Sequence, residues 1–209
     1  MGKFALKLFL ALALALGAGG VWLFFRDGTS QVPSFATARI GEATVRYSVA
    51  YGRSPGDREG GRLDQLNLAA RFPDFSPAGE DLTARPDSIV FIRLDPADPS
   101  LPPEERMDKL YARFLEPDEW SNPGGLMMRR FEPTSPFGRE ELYYAPPEGR
   151  LFTARCTRPA QPPDGLPETC LHDFRVGKLD VQIRFSPELL PEWEALSESA
   201  RALARRVVQ

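Results

Sequence analysis

Histidine and cysteine are scarce in this chain, and the scarcity closes off several chemistries. Across 209 residues there is one His, at position 172, and there are two Cys, at 156 and 170. Two thiols and one imidazole cannot complete a four-ligand zinc site, so no metal is expected. Any Ser–His nucleophile would have to work through His172 alone. Glycine-rich loops that cradle phosphates or dinucleotides are missing, and neither a cofactor nor a small-molecule ligand is expected. Asp95-Pro-Ala-Asp98 with nearby Asp87 lacks the spacing and the glycine of a calcium loop and reads as a solvated turn. Glu104/Glu105 and Glu140/Glu141 are adjacent in sequence, so each pair points apart rather than forming an acid–base dyad.

A basic excess is absent as well. The formal net charge is −3, and setting aside Lys3, Lys7 and Arg26 leaves 23 basic against 29 acidic residues, about −6. A chain with that balance is not expected to bind nucleic acid. Lysine is confined to positions 3, 7, 109 and 178, so twenty-two of the 26 basic residues are Arg, the usage of a GC-rich bacterial coding sequence.

What the chain does have begins at its start. Leu8 to Phe25 is uncharged and rich in Leu, Ala and Phe, with Lys3 and Lys7 before it and Arg26-Asp27 after it. Eighteen helical residues rise about 27 Å, close to the ~30 Å hydrocarbon core of a bilayer. The lysines hold the N-terminus in the cytoplasm and place the rest across the membrane. Residues 1–26 therefore read as a signal-anchor helix of a bacterial inner-membrane protein. Trp22, Phe24 and Phe25 suit the interfacial aromatic belt. The alternative is a cleaved signal peptide with its site among Ala15 and Gly17–Gly20. The anchor is preferred, because cleavage there leaves Val-Trp-Leu-Phe-Phe as an exposed apolar start.

Residues 27–34 form a polar tether, and 35–209 are long enough for one periplasmic domain with a real core. Cys156 and Cys170 fall on the oxidising side and read as a disulfide. Closing a loop of ~15 residues is worth on the order of 3 kcal/mol.

Within the domain, period-2 patterns mark strands. Ala43, Val45, Tyr47, Val49 and Tyr51 share one face, and Leu66, Leu68, Ala70 and Phe72 repeat the pattern. Ser88–Leu94 is a short apolar strand, and further strands are expected at 126–131, 140–145 and 151–157. Val176-Gly-Lys-Leu179 is a two-residue II′ hairpin turn, which sets Cys170 opposite Phe185, His172 opposite Ile183 and Phe174 opposite Val181. Joining Cys156 to Cys170 then puts Ala154 opposite His172 and Phe152 opposite Phe174, all on one apolar face, a match that a one-residue slip destroys. Two helices are expected. Residues 102–115 carry Met107, Leu110, Tyr111, Phe114 and Leu115 on one stripe, stopped by Pro117. Residues 187–207 carry Leu189, Trp193, Leu196, Ala200, Leu203 and Val207, with Pro191 delaying the regular helix. The predicted fold is α+β: an N-terminal transmembrane helix, then an antiparallel sheet, including the disulfide-bonded C-terminal meander, with one face covered by both helices.

Gly52-Arg-Ser54-Pro-Gly56 matches the nucleophile-elbow pattern G-x-S-x-G. That chemistry needs a helix straight after the serine and a nearby base. The polar Asp-Arg-Glu-Gly-Gly that follows reads instead as part of a hairpin turn over 52–61, and His172 sits on a core face. The expected role is thus a non-enzymatic envelope protein that binds another envelope protein, of assembly, secretion or immunity type. The rival is a membrane-tethered hydrolase using Ser54 or a carboxylate pair assembled in space. Tyr143-Tyr144 and Trp120 in the 120–125 turn are candidate aromatic docking points.

Overall fold

The computed structural model describes residues 34–79, 82–83, 85–158 and 168–209. The segment expected to span the membrane, 8–25, lies outside the described residues, as does the proline-rich loop 159–167. Among the described residues no helix is long and apolar enough to cross a membrane. The elements run β1 (Phe35–Ile40), β2 (Ala43–Ser48), α1 (Pro55–Glu59), β3 (Gly61–Leu63), β4 (Leu66–Arg71), β5 (Ser76–Pro77), β6 (Ile89–Pro96), β7 (Leu115–Ser121), β8 (Met127–Phe131), β9 (Glu140–Tyr144), β10 (Thr153–Thr157), β11 (Cys170–Val176), β12 (Leu179–Phe185) and α2 (Trp193–Val207).

These strands form two sheets. The larger is antiparallel throughout, in the order β5-β4-β6-β12-β11-β10-β9-β8-β7, and the smaller is β2-β1-β3. The meander has the predicted register: Cys170 faces Phe185, Val176 faces Leu179, Ala154 faces His172 and Cys156 faces Cys170. Gly177, at φ 58°, supplies the first central position of the hairpin turn, a conformation side chains resist. The two sulfurs are bonded. Phe152 falls just outside β10 and packs on the rings of His172 and Trp193 at 4.4 and 5.1 Å instead of entering the ladder.

The inner face of the large sheet carries Leu68, Ile92, Ile183, His172 and Ala154 in one row, with similar apolar rows on either side. It is covered by α2 and by the small sheet, whose Ala38, Ile40, Val45 and Tyr47 are fully buried in the same core. Pro191 does delay the regular helix: a 3-10 stretch covers Pro187–Glu192, and α2 starts at Trp193. Leu196, Ala200, Leu203 and Val207 are buried as the stripe requires. Trp193 is half-buried; its Nε1–H donates to Gly124 O at 2.8 Å. A Cβ on Gly124 would lie 2.7 Å from Pro191 O, so only glycine lets that turn sit on the start of the helix. Trp193→Ala is expected to cost about 2–3 kcal/mol, less than for a fully enclosed aromatic. Urea denaturation checks this, and a loss under ~1 kcal/mol would show that the turn and helix are not joined there.

Several expectations need correction. Residues 102–115 are not one regular α-helix: they are successive tight and wide turns, 3-10 at Pro103–Glu105, π at Met107–Tyr111 and 3-10 at Ala112–Phe114. Nor do they join α2. Tyr111 and Leu115 pack with Phe131, Leu142 and Phe137, and the Arg155 guanidinium lies over the Tyr111 and Phe137 rings. Leu142 pairs with Arg155, opposite the face of Ala154, so this segment covers the outer face. Pro117 does not follow a helix; it lies in edge strand β7, inside the register shift between Leu115 and Glu119, where it has no ladder partner and a missing N–H is tolerated. Finally, 52–61 is no hairpin turn. Ser54 caps α1, and β3 runs parallel to β1, which separates it from β2.

Candidate functional site

Covering the outer face at both flanks leaves a strip open in the middle. One flank lies under 103–114; the other is closed by Ala78, Ile89 and Leu82 packing near Ala69. Between them, the register lines up rows across neighbouring strands: Ala69–Phe91–Arg184–Leu171, then Asn67–Arg93–Gln182–Asp173, then Asp95–Asp180–Arg175. Two pleat repeats, about 14 Å, thus lead from an exposed arginine to an aspartate end where Asp180 is buried.

The acidic end is internally satisfied. Asp180 accepts from Arg175 Nε at 2.7 Å and Nη2 at 3.1 Å, and from the Asp98 N–H at 3.1 Å. Asp173 accepts from Arg106 Nη1 at 2.8 Å and Gln182 Nε2 at 2.9 Å. Each carboxylate is locked by guanidinium donors, an arrangement for holding 98–106 against the sheet rather than for trading a proton. Asp180→Ala should remove about 2–3 kcal/mol by stranding Arg175, measurable by denaturation at pH 7; an unchanged midpoint would mean the 98–106 segment is not tethered there.

The basic end differs. A cleft of about 350 Å³ is lined by Arg53, Arg93 and Arg184 with Gln65, Asn67 and Phe91, and no carboxylate among the described residues lines it. The Arg53 and Arg184 guanidinium groups lie over the Phe91 ring at 4.3 and 4.9 Å. Neither is ion-paired among the described residues, whereas Arg93 holds Asp95 through its Nε at 2.7 Å. Arg53 is well placed by its surroundings. Its N–H donates to Asn67 O at 3.2 Å, and Ser54 and Asp57 form a reciprocal capping box. The buried Asp57 also accepts the Asn67 N–H at 2.9 Å, and its carbonyl accepts the Tyr47 hydroxyl. Burial, with Asp57 close by, pushes the Tyr47 hydroxyl up to about 12. At Gly52 a Cβ would meet Arg58 Cγ at 2.8 Å and the Asp57 backbone at 3.0 Å, so glycine permits this closure.

Ser54 and His172 are not brought together. The Ser54 hydroxyl donates to Asp57 Oδ2 at 2.6 Å. His172 has its Nδ1 2.9 Å from Thr153 O and its Nε2 3.5 Å from Ser197 Oγ, which in turn accepts from Arg201 Nε at 3.3 Å. The ring therefore donates from Nδ1 and accepts at Nε2. Burial, opposed by the Thr153 bond and helped by Arg201, pushes its pKa down to about 4. This Ser–His contact is enclosed in the core, with both residues nearly inaccessible. Of the aromatic candidates, Tyr144 is buried and Tyr143 donates to Glu141, while Trp120 remains 37% exposed beneath Arg130. Arg53 and Phe91 were not singled out by sequence reasoning. Arg184 alternates with the core-facing Ile183 and Phe185 and so falls on the outer hairpin face, and only the pairing of β6 with β12 shows what stands beside it.

No protein-family model matches the chain, and no curated protein sequence matches it. Among solved structures, Smlt3025, an immunity protein of the Stenotrophomonas maltophilia type IV secretion system, superposes with a TM-score of 0.60 at 16% identity, over 84% of this chain and 94% of that one. The iron-regulated outer membrane lipoprotein FrpD of Neisseria meningitidis matches with a TM-score of 0.46 at 11% identity, over 82% of this chain and 92% of that one. The first likeness establishes a shared α+β fold.

Proposed function

We propose that this chain is a single-span inner-membrane protein, anchored by residues 1–26 and tethered by 27–34, whose periplasmic domain 35–209 binds another envelope protein without acting on it chemically. The observation that carries the reading is the strip on the outer face of the large sheet, ending in two exposed arginines that pair with no acid among the described residues. Sheet edges are poor alternatives. β5 has two residues, one of them Pro77, and β7 presents Glu116, Pro117, Asp118 and Glu119 with a register shift, features that resist strand addition. A face, then, is the route to a partner.

Further support comes from the bracketed apolar segment 8–25 and from a disulfide, which suits an oxidising compartment. Of the assembly, secretion and immunity roles, the immunity type is represented by a protein of similar fold, and we adopt it as the working role. The test is crosslinking in intact cells, followed by solubilisation of the membranes in detergent and purification of the full chain. One partner in stoichiometric yield is expected; recovery of the chain alone would contradict the proposal.

A further inference from the structure

We infer that the basic end of the strip receives an acidic segment of the partner protein, with carboxylates seated against the Arg53 and Arg184 guanidinium groups that the Phe91 ring supports. The inference rests on the protein-binding reading and names its contact point. Three observations carry it. First, the cleft is a concentration of one sign in a chain of opposite net charge: its charged lining is Arg53, Arg93 and Arg184, while the whole chain stands at −3. Such an inversion complements an acidic partner segment.

Second, the two ends of the strip are chemically unlike. Arg175 and Arg106 are consumed by Asp180 and Asp173, but Arg53 and Arg184 are stacked on a ring, and among the described residues no acid takes up their donor edges. Stacking fixes the guanidinium planes without using their N–H groups, which leaves forked donors preorganised for a carboxylate. Third, the walls between the arginines are neutral amides, Gln65, Asn67 and Gln182, able to pair with a peptide backbone, and half-buried Phe91 offers area to an apolar side chain next to the acid. A partner segment with Asp or Glu flanking a small apolar residue matches all three.

The experiment measures fluorescence anisotropy of a short labelled Glu/Asp-rich peptide titrated with the full chain in nonionic micelles. Wild type should bind saturably and more weakly as salt rises. Arg53→Glu with Arg184→Glu should weaken binding by about tenfold or more, and the milder pair Arg53→Gln with Arg184→Gln should weaken it in the same direction. Arg150→Glu, at an exposed arginine paired with Glu148 elsewhere, should change nothing. Unchanged melting temperatures in the variants confirm folding, since Arg53 and Arg184 are exposed. No saturable binding by wild type would overturn the inference, as would equal loss in Arg150→Glu. Displacement of the peptide by inorganic phosphate or phosphatidylglycerol vesicles, beyond that by chloride at equal ionic strength, would also overturn it in favour of a phosphate site. Purification of crosslinked complexes separates the two levels. A partner recovered equally by wild type and by the charge-reversed chain refutes this contact point alone; no partner with either refutes the binding role itself.

Discussion

Acidifying the protein from pH 6.5 to pH 4 should remove about 3 kcal/mol of stability, and His172→Asn should abolish most of that dependence. His172 is fully buried and neutral in the fold, with its pKa pushed down to about 4, against 6.5 for an unhindered imidazole. The sign follows from proton counting. Well above pH 6.5 neither state binds a proton at this ring, so stability is unaffected. Between 6.5 and 4 the unfolded chain takes up a proton that the folded one refuses, which favours unfolding at about 1.4 kcal/mol per pH unit. The charges nearest the ring act in opposite directions, Arg201 from α2 disfavouring the imidazolium and Asp173 from β11 favouring it, and neither outweighs burial. The asparagine amide retains a donor for Thr153 O, so this variant should be less stable at pH 7 yet nearly flat across the window. Chemical denaturation at half-unit pH steps provides the comparison. A parallel fall in both proteins would show that His172 is solvated or that carboxylates dominate the loss.

The second large effect concerns Cys156–Cys170. The bridge joins facing residues of β10 and β11, 14 apart in sequence, and closes the loop that contains 159–167. Restricting a loop of this length in the unfolded chain is worth on the order of 3 kcal/mol. Cys156→Ser should therefore lower the melting temperature under oxidising conditions, and reduction of the wild type should bring it down to the variant's value. Identical melting of both proteins with and without reductant would refute the bridge.

Legibility from sequence tracked how local each determinant was. The hairpin 170–185 was readable because a two-residue turn dictates its register, and the disulfide extended that register to β10 by parity alone. The start of α2 at Trp193 was readable from Pro191. Segment 102–115 failed for a definite reason: its apolar stripe says that one side is buried but not which face of a sheet it meets. The answer lay in Arg155 and Leu142, outer-facing residues whose strands are far away in sequence from Tyr111. The same holds for β3, a three-residue strand held beside β1, and for α1, whose five residues show no periodicity and only a capping box. The candidate contact point was hidden similarly. Arg53, Phe91 and Arg184 come from three distant stretches, and each alone reads as an ordinary loop, strand or hairpin residue.

Photocrosslinking in living cells from a photoreactive residue at position 184, compared with the same residue at exposed position 150, tests most directly whether the open strip is where an envelope partner sits. A single adduct from 184, formed with an envelope protein and absent from 150, is the predicted result. No adduct from 184, or the same adducts from both positions, would contradict it.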